Sequence, residues 1–305
     1  MTDFLEEDLC LCALNTILGD KPRIANEIIS ALGSASALFD MSLRDLKLIF
    51  PRGSYLPYTI SRFDMGIARK QLNIAHSEGL RFISQKSKSY RTLLRQCPDR
   101  PCGLFSSEDI GDNEQERNIL LCVSEPLDAT GKKSFMHLIS NLLKDNKKTL
   151  FHLLCNSHSD IKLAMDASLT GAAIAIIPEN SIIEFYHLHA KEIDKILNQN
   201  PKNRIFNDIP AGNCLIPYRH ERSYRIASGS CHCSVLFNGR NPSRSTRCAR
   251  LSFSYDRDVY AFPGRICDQD FHGNNLLIAT DIANMIISTD WLAQEIKNQA
   301  HHCRY

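Results

Sequence analysis

The sequence has no run of about 18 apolar residues, so no segment is expected to span a membrane. Its first residues, MTDFLEEDLC, are acidic and lack the basic stretch that opens a secretory signal. Together these absences lead us to expect a cytoplasmic protein. No C-x2-C pair repeats, which argues against a zinc site, and no G-x-S-x-G elbow is present to argue for a hydrolase. No internal repeat or low-complexity tract interrupts the chain. Lysine is missing altogether from residues 215–265.

What is present is an ordinary globular composition: 305 residues, 43% hydrophobic and 23% charged, enough to bury a sizeable core. The twelve cysteines are scattered, and without a secretory signal they read as reduced, small hydrophobes. The densest group is Cys231, His232 and Cys233, with Cys248 downstream. Neighbours in a strand point to opposite faces, so these side chains do not converge on one ion and no metal is expected.

The charge is uneven. The formal net charge is +2, yet residues 215–265 hold nine arginines against Glu221, Asp256 and Asp258, a local +6 that leaves −4 for the remainder. A basic segment on a near-neutral chain suits an anionic partner. The planar fork of arginine fits phosphate and stacks on bases. A solvated basic face is the plain alternative.

Residues 1–80 read as a small bundle of short helices. Leu9, Leu11, Leu14 and Ile17 have helical spacing, Gly19-Asp20 breaks the pattern, and Ser42 is placed to cap the stretch from Leu43 to Ile49. Residues 81–116 are polar and turn-rich and are expected to form a linker or extended arm. From residue 117 to about 290, apolar runs alternate with helical stretches. The runs are Ile119–Val123, Leu150–Leu154, Ala172–Ile177, Cys233–Phe237 and Val259–Phe262, with a weaker one at Arg204–Ile209. The alternation predicts an α/β fold with a parallel sheet covered by helices on both faces. Residues 291–305 read as a last helix and a polar tail.

In such a sheet, ligands bind beyond the carboxyl ends of the strands. The loop after Val123 has one late glycine and two acids, Glu125 and Asp128, so it makes a poor phosphate cradle, although Lys132 and Lys133 follow it. The stretch Asn156-Ser157-His158-Ser159-Asp160 suits a helix N-cap. After Phe237 a turn-rich loop leads into a helix with Arg244, Arg247 and Arg250 at intervals of three, which predicts one shared side near an N-terminus that favours anions.

One ordered series carries a resemblance: Ser223-Tyr224-Arg225-Ile226-Ala227-Ser228-Gly229-Ser230, then Ser234-Val235-Leu236-Phe237, then Ser243-Arg244-Ser245, then Arg257-Asp258-Val259-Tyr260-Ala261-Phe262-Pro263-Gly264, then Gly273-Asn274-Asn275-Leu276-Leu277-Ile278. It resembles the C-terminal half of the Rossmann-like domain of the DNA-processing protein A (DprA/Smf) family. The helical first 80 residues look like that family's sterile-alpha-motif-like domain. The resemblance implies a single-stranded DNA-binding protein, without catalytic turnover or cofactor, that delivers DNA to a RecA-type recombinase and forms a homodimer. The residues it and the charge pattern bring forward for nucleic acid are Arg219, Arg225, Ser243, Arg244, Ser245, Arg247, Arg250, Asn275, Lys132 and Lys133. The sequence departs from the family where a glycine-arginine phosphate loop becomes Ser124-Glu125-Pro126, and where an acidic residue becomes Asn238. A nucleotide-binding enzyme or sensor of a related class, and a scaffold that has lost its ligand, remain open as alternatives.

Overall fold

A computed structural model describes residues 4–111, 116–145, 148–211 and 219–302. Six helices come first: α1 (Glu6–Leu18), α2 (Pro22–Leu32), α3 (Ser36–Phe39), α4 (Leu43–Ile49), α5 (Leu56–Ser61) and α6 (Met65–Ser77). Their starts follow local chemistry. The Ser42 hydroxyl accepts from the Asp45 N–H at the head of α4, and Pro22 opens α2, where a missing N–H has no consequence. Gly33 ends α2 at φ +81°, a left-handed conformation that favours glycine.

Residues 81–111 do not form a linker. They carry β1 (Arg81–Ser84), the short α7 (Thr92–Arg95) and β2 (Gly103–Ser106). The β1 strand pairs antiparallel with β2, and β2 pairs antiparallel with β6 (Arg204–Asn207), so the segment widens the sheet. The polar and turn residues that read as an arm lie in the connections around these two four-residue strands.

The rest alternates as expected. It comprises β3 (Arg117–Val123), α8 (Ala129–Asp145), β4 (Thr149–Cys155), α9 (His158–Ser168), β5 (Ala173–Pro178), α10 (Ile182–Leu188) and α11 (Ala190–Gln199). After β6 come α12 (Arg219–Gly229), β7 (Cys233–Asn238), α13 (Arg244–Ser254), β8 (Asp258–Ala261), α14 (His272–Ala279), β9 (Asn284–Met285) and α15 (Thr289–His302). Among the described residues nine strands run in the order β1-β2-β6-β5-β4-β3-β7-β8-β9, and every pair from β6 to β9 is parallel. This is a Rossmann-like sheet, with its crossover point between β3 and β7.

Each central strand divides its side chains between two apolar layers. Ile119, Leu121 and Val123 enter one layer, which includes Phe135 of α8, Ile161 of α9 and Leu292 of α15. Leu120 and Cys122 enter the other, with Tyr224 and Ala227 of α12 and Cys248 and Ala249 of α13. Both faces being covered, the strands are mostly apolar, with a few buried polar side chains such as Asn118 and His152. Cys231 precedes β7 and packs in one layer, whereas Cys233, the first residue of β7, packs in the other, so the two thiols do not converge.

The helical region is tied to the sheet by a buried polar lock. Arg222 of α12 pairs with Asp208 at 2.6 Å and donates to the Asn15 carbonyl of α1 at 3.1 Å. Asn15 in turn donates to the Asp208 carbonyl at 3.0 Å. Gly19, just past α1, is where the Arg222 guanidinium lies: a Cβ there would sit 2.2 Å from its Cζ.

Candidate nucleic-acid interface

The crossover between β3 and β7 is where a doubly wound sheet opens a ligand crevice. Here the chain's own groups occupy it. Asn238 accepts from the Ser124 and Glu125 N–H groups at 2.9 and 3.2 Å and donates to the Glu125 carbonyl at 2.8 Å. The Ser124 hydroxyl donates to the Ser245 hydroxyl at 2.6 Å and accepts from the Ser245 N–H at 3.0 Å. Ser243 caps α13, its hydroxyl accepting from the Thr246 N–H while its own N–H donates to the Thr246 hydroxyl. Amide groups at the head of α13 that would meet an anion thus already have partners.

Arg244 completes this closure. Its Nε donates to the Val123 carbonyl at 2.6 Å, and its two terminal nitrogens reach Asp160 at 2.5 Å and Glu179 at 3.0 Å. Burial opposes charge on this guanidinium, but the two carboxylates prevail and raise its pKa. Burial likewise opposes ionisation of Asp160, and Arg244 outweighs it, holding the carboxyl below its ordinary value. Arg244 therefore does not share a side with Arg247 and Arg250. It turns inward at the first residue of α13, drawn by Asp160 in the first turn of α9 and Glu179 just past β5. Asn275, half-buried, is also engaged: it accepts from the Gly264 N–H and donates to the Gly264 carbonyl, clamping the Pro263-Gly264 turn.

Arg225, Arg247 and Arg250 do come together. They line a groove of about 660 Å³ on the α12–α13 face, and Lys21 and Arg23 from the start of α2 line it too. Asp20, Asp99 and Glu221 also border it, so five cations face three carboxylates. Among the described residues Arg225 and Arg250 pair with no carboxylate, and the Arg225 Nε donates to the Glu221 carbonyl at 3.3 Å. Asp99 accepts from the Tyr255 hydroxyl at 2.7 Å. Arg247 pairs with Glu221 at 2.9 Å, but both side chains are about half exposed (50% and 46%). Such a pair is worth about 0.2–1 kcal/mol, so an incoming phosphate can take Arg247 over. Separating buried Arg244 from its acids would cost about 3–5 kcal/mol, so it stays where it is.

Lys132 and Lys133 are exposed on α8, whose core residues enter the opposite layer from those of α12 and α13. Lys132 borders a small cleft of about 60 Å³ with Lys162, Asp160 and Asp166, away from the arginine groove. Arg219 begins α12, and its side chain lies outside the described residues. Reading the sequence did not find Lys21 and Arg23, because nothing local distinguishes Asp20-Lys21-Pro22-Arg23 from an ordinary charged turn.

A comparison with protein families matches residues 81–297 to DNA recombination-mediator protein A. The chain belongs to the DprA family. A DNA-processing role follows from that membership. The DprA likeness extends to solved structures. The chain is similar to DNA processing protein A from Streptococcus pneumoniae at 17% identity, over 95% of this chain and 98% of that one, with a TM-score of 0.71. It is also similar to DNA processing protein A from Helicobacter pylori, a protein described as having a unique single-stranded DNA binding mode, at 15% identity over 72% and 96%, with a TM-score of 0.58. No curated protein sequence matches it. Within this DprA-family chain, no helix among the described residues is long and apolar enough to cross a membrane.

Proposed function

We propose that this protein binds single-stranded DNA without catalytic turnover and hands it, in the cytoplasm, to a RecA-type recombinase. The observation that carries the proposal is the convergence of Arg225, Arg247 and Arg250 with Lys21 and Arg23 on one groove. Guanidinium groups on two adjacent helices and cations on a third offer an extended run of positive charge, which fits a polyanion better than one small ligand. The filled crossover point favours the same reading over a mononucleotide site, because its amides and Arg244 are held by internal partners.

Each phosphate neutralised on a single strand contributes about 0.7 to the slope of log affinity against log salt. Titrating labelled oligo-dT over a series of salt concentrations tests the reading. The combined variant Arg225→Ala, Arg247→Ala, Arg250→Ala is expected to weaken binding and to flatten that slope by about 2. An unchanged slope would remove the groove from the binding site. Absence of oligo-dT binding by the parent chain at low salt would leave the scaffold alternative.

A further inference from the structure

We infer that the exposed tyrosines of the helical region, Tyr55 and Tyr58, form a base-stacking platform that extends the arginine groove. The inference rests on the single-strand reading above and adds to it a second kind of contact, made with bases rather than phosphates.

Tyr55 and Tyr58 lie one turn apart, with the Tyr58 N–H donating to the Tyr55 carbonyl at 3.1 Å. Leu56, Pro57 and Ile60 of the same segment point inward and are buried. The two rings are left on the surface, Tyr55 63% exposed and Tyr58 42% exposed. Their neighbours are cations. Lys21 Nζ lies 5.5 Å from the Tyr55 ring centre and donates to its hydroxyl at 3.2 Å. Lys47 Nζ lies 4.6 Å from the Tyr58 ring centre, and the Arg62 guanidinium lies 6.0 Å from it.

Exposed aromatic rings interleaved with lysine and arginine are what a sequence-tolerant single-strand site needs: flat faces for any base, and positive charge for the backbone between them. Placement connects this patch to the groove. Lys21 bonds to Tyr55 and also lines the groove with Arg225, Arg247 and Arg250. A strand leaving the groove past Lys21 meets Tyr55 next, then Tyr58. The occupant is therefore single-stranded nucleic acid rather than an apolar peptide, because the rings are ringed by cations and continue a cationic path.

The test compares the full chain with Tyr55→Ala, Tyr58→Ala, using oligo-dT and an abasic oligonucleotide of equal length. Both side chains are exposed, so the variant is expected to fold, with its denaturation midpoint as the check. Loss of base stacking is expected to weaken oligo-dT binding about tenfold, to leave abasic binding unchanged, and to leave the salt slope unchanged. Tyr55→Phe, Tyr58→Phe keeps the rings and is expected to bind oligo-dT within about twofold of the parent chain. Parent-like oligo-dT affinity in the alanine variant overturns the platform and leaves the groove reading standing. So does equal weakening on both oligonucleotides, because it would mean that charge, not stacking, had been disturbed. A parent chain that binds neither oligonucleotide overturns both readings.

Discussion

Arg244 and Arg247 are three residues apart on one helix, yet water sees one and hardly reaches the other. The Arg244 side chain is 11% exposed, its partners Asp160 and Glu179 are 8% and 2% exposed, and the network also holds the Tyr224 hydroxyl, which donates to Glu179 at 3.2 Å. Removing the guanidinium leaves two buried carboxylates without their counter-charge. Arg244→Ala is therefore expected to lower unfolding free energy by about 3–5 kcal/mol, measured by urea denaturation near neutral pH. Adding Asp160→Asn and Glu179→Gln to Arg244→Met is expected to recover much of that loss, since the remaining groups are neutral. A urea midpoint unchanged in Arg244→Ala would show that the buried network contributes little. The contrast between positions 244 and 247 was not legible in the sequence, where both are arginines of one basic stretch. What separates them comes from 84 and 65 residues upstream.

Elements were legible where one segment carried the signal. Five apolar runs became β3, β4, β5, β7 and β8, because a strand covered on both faces is apolar on its own. The strands β1 and β2 were not legible. Each has four residues, and each becomes a strand only by pairing with a distant segment, Phe105 opposite Asn207 for one. The candidate site divides the same way: three arginines of α12 and α13 were visible locally, and the wall contributed by α2 was not. Close approach of elements is another property no single segment states. At the head of α14, Gly273 lies against the loop after β7, and a Cβ there would be 2.5 Å from the Gly239 carbonyl oxygen and 2.7 Å from that of Arg240. These are backbone atoms, which cannot swing away as a side chain would. Gly273→Ala is expected to destabilise the protein by about 1–3 kcal/mol through forced displacement of that loop. Full stability of the variant in urea would mean that α14 shifts freely on the sheet.

Across the whole molecule, the arginine groove lies on the α12–α13 face, and a buried titratable cluster lies within the sheet, around His152 of β4 and Asn118 of β3. His152 of β4 is fully buried, with its Nε2 3.0 Å from Asn118 Oδ1, an oxygen that also accepts from Arg91. That oxygen can only accept, so His152 donates through Nε2, and its Nδ1 has no hydrogen-bond partner among the described residues. A proton added at Nδ1 would place a charge in the core near Arg91 and Arg204. Burial first, and those two guanidinium groups next, hold the His152 pKa well below 6.5. The unfolded chain binds a proton there near pH 6.5 and the folded chain resists it. The contribution of His152 to stability is thus complete above about pH 6.5 and is lost progressively as pH falls below it, toward the depressed folded value. We expect the urea midpoint to fall between about pH 7.5 and about pH 5.5, and to fall less in His152→Gln, which keeps a donor toward Asn118 but does not titrate. Carboxylates contribute to any acid loss in both proteins and cancel in the comparison. An equal fall in both would place the acid sensitivity elsewhere, and oligo-dT affinity measured over the same pH interval would then show whether the groove, which is lined by no histidine among the described residues, is affected at all.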